Sequence, residues 1–295
     1  MQSRWVAIGG IFTALVTPFS SDGAKVDYDS LDRLISMQLA AGVSGVVACG
    51  STAEAATLSD AEYVEVVRFI RERTRGRVPC ISGISVSSTA KAVELAKVGQ
   101  ELGCDGLLLT APPYNKPSQA GIMAHFKAVY AAVNLPIVGY NIPGRTSVTI
   151  APATLGLLSK EGVIVGIKES SGSTDALADT VLAVEAGCQI VSGDDSLTLS
   201  VLAYGGVGAI SAAANAIPEE MVAIVNAWRS GDANGARRAQ MEALPRIRAL
   251  FVESNPVPVK AVLAAKKVIA HPTVRLPLVP LMDNSREVVR RAFGV

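Results

Sequence analysis

The sequence predicts a closed (β/α)8 barrel, a TIM barrel, with a C-terminal helical extension. Three observations lead there. Short apolar runs alternate with amphipathic stretches eight times, each strand-and-helix unit takes roughly 25–35 residues, and no long linker or low-complexity segment breaks the series.

The strands are expected at 10–17, 45–49, 78–83, 106–110, 136–141, 163–168, 189–193 and 207–212. Each is apolar throughout, as parallel strands covered by helices are. Helical periodicity fills the gaps at 29–42, 59–75, 88–103, 118–133, 151–160, 173–186 and 195–204. Asp27 and Ser59 precede periodic runs as N-caps do, and Pro152 occupies a first turn. Eight repeats favour closure over an open doubly wound sheet. Further helical segments follow at 217–230, 233–250, 257–269 and 285–293, more than a minimal barrel needs. The chain is therefore divided into a catalytic barrel, 1–225, and a helical extension, 226–295.

Of 295 residues, 49% are apolar and 18% charged, with a formal net charge of +1. So even a balance gives no electrostatic reason to expect nucleic acid or an anionic membrane as partner, and small-molecule chemistry becomes the default. Cys49, Cys80, Cys104 and Cys188 are widely spaced and form neither a CxxC nor a zinc pattern. They are read as reduced core residues of a cytoplasmic protein. Arg4 followed by WVAIGGIFTALV imitates a signal peptide, but Thr17-Pro18-Phe19 continues without a small-residue cleavage site, and a first barrel strand accounts for the stretch equally well. No run reaches the roughly 18 apolar residues of a membrane span.

Barrels of this type place their active sites at the C-terminal strand ends, where this sequence gathers its polar residues. They include Ser51, Thr52 and Glu54 after the second strand, Tyr114 after the fourth, and Tyr140 with Arg145 at the fifth. Lys168 ends the sixth, Gly193-Asp194-Asp195 the seventh, and Ser211 and Asn215 the eighth. Alternation puts Ile164, Gly166 and Lys168 on one face, the glycine leaving room for the lysine. Burial disfavours the charged form of an amine, so a lysine there can act as a nucleophile on a carbonyl. Taken alone, a strand-end lysine more often pairs with a carboxylate, and Glu54 is the candidate partner. The hydroxyls at neighbouring strand ends tip the reading toward a Schiff base with a keto acid, because carbinolamine chemistry needs proton donors and acceptors.

Each of those groups also has a plainer meaning. Either tyrosine can simply be amphipathic packing, and a lone loop arginine is more often solvated. Asp194-Asp195 could bind a metal, but His125 and His271 show no ligand spacing. The glycines at 205, 206 and 208 precede a strand, so they do not read as a dinucleotide loop.

At these residues the sequence resembles the dihydrodipicolinate synthase family of pyruvate-dependent lyases, to whose superfamily N-acetylneuraminate lyase also belongs. The shared segments run from ALVTPF through GSTAEAATL, APPYNKPSQAG, YNIPGRT, GIKESSG, SGDDS and GAISAAAN to ESNPVPVK and RLPLVPL. The resemblance implies that Lys168 forms a Schiff base with pyruvate and that Tyr140 is the central proton donor and acceptor. Ser51 and Tyr114 would complete a relay, Tyr114 being lent across a dimer interface. Thr52 would bind the pyruvate carboxylate, Ile210 would approach pyruvate through its backbone, and Gly193 would border the substrate. Arg145 would hold the carboxylate of L-aspartate 4-semialdehyde. The family also implies a homotetramer built as a dimer of dimers, a role in diaminopimelate and lysine synthesis, and no cofactor or metal.

Three departures from the family pattern stand out. Ser51 replaces a common threonine, leaving the hydroxyl less constrained. Ala53 replaces a glycine, which would strain the turn if that position needs positive φ. At positions resembling the lysine-feedback site, Ser87, Lys91 and Tyr63 replace asparagine, glutamate and histidine, so weak or absent lysine inhibition is expected. Two other functions fit the same barrel: a sibling lyase for a sugar acid or 4-hydroxy-2-oxoglutarate, and a non-catalytic keto-acid sensor. Arg145 argues against the first, and retention of Lys168 and Tyr140 against the second.

Overall fold

A computed structural model describes residues 5–295, leaving Arg4 of the signal-like segment outside the described residues. Eight parallel strands close in chain order: β1 Gly10–Ala14, β2 Gly45–Ala48, β3 Cys80–Ile84, β4 Gly106–Thr110, β5 Ile137–Asn141, β6 Gly166–Glu169, β7 Gln189–Ser192 and β8 Gly208–Ser211. Their inner faces meet in one apolar cluster that includes Phe12, Val47, Ile81, Leu108, Val138, Val191 and Ile210. Their outer faces pack under the helices.

The helices are α1 Tyr28–Ala40, α2 Asp60–Thr74, α3 Thr89–Glu101, α4 Gln119–Ala132, α5 Pro143–Thr146, α6 Pro152–Lys160, α7 Thr174–Ala183 and α8 Thr198–Ala203. After the last strand come α9 Pro218–Arg229, α10 Ala233–Leu250, α11 Val257–Ala265 and α12 Asp283–Phe293. Side-chain caps start many of them where the sequence places a hydroxyl or carboxylate. Asp27 accepts from the Ser30 amide, and Ser59 with Glu62 forms a reciprocal capping box.

Two strands differ from the sequence reading in ways that bear on the site. The first strand ends at Ala14 rather than 17, because the Val16 amide turns to the side chain of Asn215, at 3.1 Å. The sixth begins only at Gly166, since the amides of Val163 and Ile164 close the end of α6 on the Leu158 carbonyl at 2.9 and 3.3 Å. Ile164 consequently packs in the outer layer and does not share a face with Gly166 and Lys168. The segment 251–256, between α10 and α11, carries residues that border the cavity at the barrel mouth.

Candidate active site

Strand register brings the two central side chains together. Tyr140 on β5 is the direct partner of Lys168 on β6, and Thr110 on β4 is the partner of Tyr140. The Lys168 Nζ lies 4.1 Å from the centroid of the Tyr140 ring, within cation–π range, and both residues are buried. On the opposite face of the same strands, Asn141 donates through Nδ2 to Glu169 Oε2 at 2.9 Å. Glu169 Oε1 accepts from the Ser171 amide at 2.7 Å, and Asn141 Oδ1 from the Ile150 amide at 3.0 Å. The carboxylate next to the lysine in sequence is thus spent on fixing the two strand ends.

Glu54 is not the partner of Lys168 either. It accepts from Lys260 Nζ at 2.5 Å and from the Arg275 amide at 2.8 Å. Among the described residues, no ion pair includes Lys168. Glu54, and not Ala53, takes the left-handed conformation in this loop, with φ 55°, so the alanine substitution carries no backbone strain.

Room for the lysine comes from a different glycine than the sequence indicated. A Cβ on Gly166 would meet Ile8 Cδ1 at 2.7 Å and the Gln189 carbonyl at 2.8 Å, away from the amine. A Cβ on Gly193, across the β6–β7 pairing, would stand 2.7 Å from Lys168 Cε and 1.9 Å from Ser170 Oγ. Gly193 is the position where only a hydrogen fits beside the lysine stem.

These groups border a cavity of about 480 Å³ that opens at the C-terminal strand ends. Ser51, Thr52, Tyr140, Arg145, Lys168 and Gly193 all line it. Ser51 and Thr52 lie in a 3-10 turn directly after β2, with Thr52 buried. Arg145 sits in α5, where its Nη2 donates to the Asn255 carbonyl at 2.9 Å. Two expected site residues lie apart from the cavity wall of the single chain. Ile210 is fully buried on the inner face of β8, and Tyr114 is 87% exposed, with φ 72°.

The family model for the dihydrodipicolinate synthetase family matches residues 7–294. The chain belongs to the dihydrodipicolinate synthetase family. Within it, the 4-hydroxy-tetrahydrodipicolinate synthase of Sorangium cellulosum is 44% identical over 287 residues, covering 97% of this chain and 95% of that one. The same enzyme of Endomicrobium trichonymphae is 39% identical over 285 residues, covering 96% and 97%. The chloride-inhibited dihydrodipicolinate synthase of Acinetobacter baumannii, solved in complex with pyruvate, superposes with a TM-score of 0.94 at 37% identity over 98% of both chains.

Several residues lining this family member's cavity had no role in the sequence reading. Ser85 and Thr110 share a hydroxyl hydrogen bond of 3.1 Å on the wall, and residues 251–255 border it from the C-terminal side. Asn255 donates through Nδ2 to Thr52 Oγ1 at 2.8 Å. Residues 251–256 fall in the gap between two expected helices, which gave no reason to bring them over the barrel. Asp195, read as half of an acidic pair, accepts from the Ala212 and Ala213 amides at 3.2 and 3.0 Å. Burial pushes its carboxyl up, against the hydrogen bonds from Ser211 and Ala213. Asn215 is likewise consumed by backbone groups around Ala14 and Ala212.

Proposed function

We propose that this chain catalyses the 4-hydroxy-tetrahydrodipicolinate synthase reaction, condensing pyruvate with L-aspartate 4-semialdehyde. The observation that carries this reading is Lys168, in no ion pair among the described residues and stacked on Tyr140, in a cavity that also presents Arg145. The Lys168 amine adds to C2 of pyruvate, and the carbinolamine loses water to give the Schiff base. Loss of a C3 proton yields an enamine, whose C3 bonds to the aldehyde carbon while the aldehyde oxygen takes up a proton. The amino group of the second substrate then attacks the imine carbon, closes the ring and releases Lys168. Every step moves a proton; in this reading Tyr140, beside the amine, carries it, with Ser51 on the same cavity wall as its relay partner. No other cofactor is needed, because the amine itself activates the carbonyl.

Thr52 would hold the pyruvate carboxylate and Arg145 that of the semialdehyde, a planar guanidinium matching a carboxylate in two parallel hydrogen bonds. Ile210 would meet pyruvate through its backbone. Tyr114, exposed and held in a left-handed conformation, fits the role of a side chain delivered to the partner's relay, within a homotetramer made as a dimer of dimers. The four free cysteines fit a reducing cytoplasm. The substrate assignment is tested by steady-state turnover of pyruvate with L-aspartate 4-semialdehyde, set against aldol cleavage of 4-hydroxy-2-oxoglutarate and of a sugar acid. Turnover of the semialdehyde alone is the expected result, and turnover only of the others would overturn the assignment.

A further inference from the structure

Asn255 touches both residues assigned to substrate carboxylates, and it does so with two different parts of itself. Its side-chain Nδ2 donates to Thr52 Oγ1 at 2.8 Å, and its backbone carbonyl accepts from Arg145 Nη2 at 2.9 Å. The residue is nearly buried, it borders the cavity, and its Oδ1 has no hydrogen-bond partner.

The direction of the first bond has a chemical consequence. A threonine hydroxyl has one proton to give and lone pairs to receive with. With a lone pair occupied by the amide N–H, the Thr52 hydrogen is left to donate, which is what a bound carboxylate requires. The second bond fixes the guanidinium from the same residue, so one element of the C-terminal segment sets the orientation of both anion-binding groups. From this geometry we infer that Asn255 is a positioning residue, which orients the Thr52 hydroxyl as a donor to the first substrate's carboxylate and holds Arg145 for the second. The inference rests on the function proposed above.

Asn255→Asp keeps the shape but replaces the donor by an acceptor, so the Thr52 hydroxyl turns its proton toward residue 255 and away from the cavity. The readout is the pyruvate concentration giving half-maximal borohydride-trapped adduct on Lys168, measured in the full chain. Asn255→Asp is expected to raise that concentration about tenfold or more, the loss of one hydrogen bond to a charged group, with a smaller change in kcat. Thr52→Val should raise it comparably, and the double variant no further than the larger single effect, because both remove the same donation. Asn255→Ala, which deletes the donor without adding charge, gives the same test if the aspartate variant does not fold. Half-saturation within twofold of wild type in the folded variant, or effects that multiply in the double variant, would overturn the inference. Absence of any adduct in the wild-type protein would instead remove the function on which it rests.

Discussion

The carboxylate of Glu54 is held by Lys260, 2.5 Å away and sealed from solvent, and among the described residues Lys168 has no ion-pair partner. Burial pulls the Lys260 ammonium down to about 8, against the opposing pull of Glu54, and its charge also rests 4.0 Å from the Phe19 ring. The pair ties the loop carrying Ser51 and Thr52 to α11, so it acts on the site from behind. Removing one partner strands a buried charge. Glu54→Leu is expected to cost about 3–5 kcal/mol in urea unfolding, and adding Lys260→Met should recover most of it. Equal destabilisation in the single and double variants would contradict this account.

A methyl group at position 193 should disable the amine without touching any reactive atom. Its Cβ would overlap the Lys168 stem and Ser170 Oγ, forcing the lysine from its place beside Tyr140. A displacement of about 1 Å costs on the order of a hundredfold in rate. Gly193→Ala should lose kcat on that scale while keeping its melting temperature within a few degrees; wild-type turnover would refute the packing argument.

The barrel was legible from the alternation of apolar and amphipathic stretches, because each strand is buried on both faces. Lys168 and Tyr140 were legible because they end two of those strands. What escaped was contact between distant segments. Glu54 reads equally well as a partner for either lysine, since nothing in its neighbourhood points to a residue 206 positions away. Asn255 sits in an irregular loop with no periodicity, and its bond to Thr52 appears only when the C-terminal segment folds back over the mouth. The glycine that admits Lys168 directly follows the next strand, so alternation within one strand pointed to Gly166 instead.

Lysine should inhibit the enzyme weakly or not at all. At the positions resembling the feedback site, Lys91 Nζ is 2.8 Å from both Asp60 Oδ2 and Glu94 Oε1 and supplies a cation where an effector ammonium would otherwise be welcomed. Initial rates are expected to be unchanged by sub-millimolar lysine. Inhibition in that range would contradict the reading.

His125 should make stability sensitive to mild acid. It is buried between α3 and α4 with Nδ1 3.0 Å from Thr89 Oγ1, and burial pulls its pKa from 6.5 to about 4. The folded state therefore resists the proton that the unfolded chain accepts. Its contribution is full above pH 6.5, falls as pH drops toward 4 and is level below that, by at most about 3–4 kcal/mol at about 1.4 kcal/mol per unit. The difference in unfolding free energy between wild type and His125→Gln should change by that pattern between pH 7 and 5. A difference constant across that interval would show that the histidine takes up its proton equally in the folded and unfolded chain, contradicting the shift.

The Schiff base on Lys168 is the centre of the account, and trapping it is the most direct test. The protein is incubated with pyruvate, reduced with borohydride, digested and mapped by mass spectrometry, alongside Lys168→Ala. The account predicts one reduced pyruvate adduct per chain, on Lys168, absent from the variant. An adduct on another lysine, or none on the wild-type chain, would contradict it.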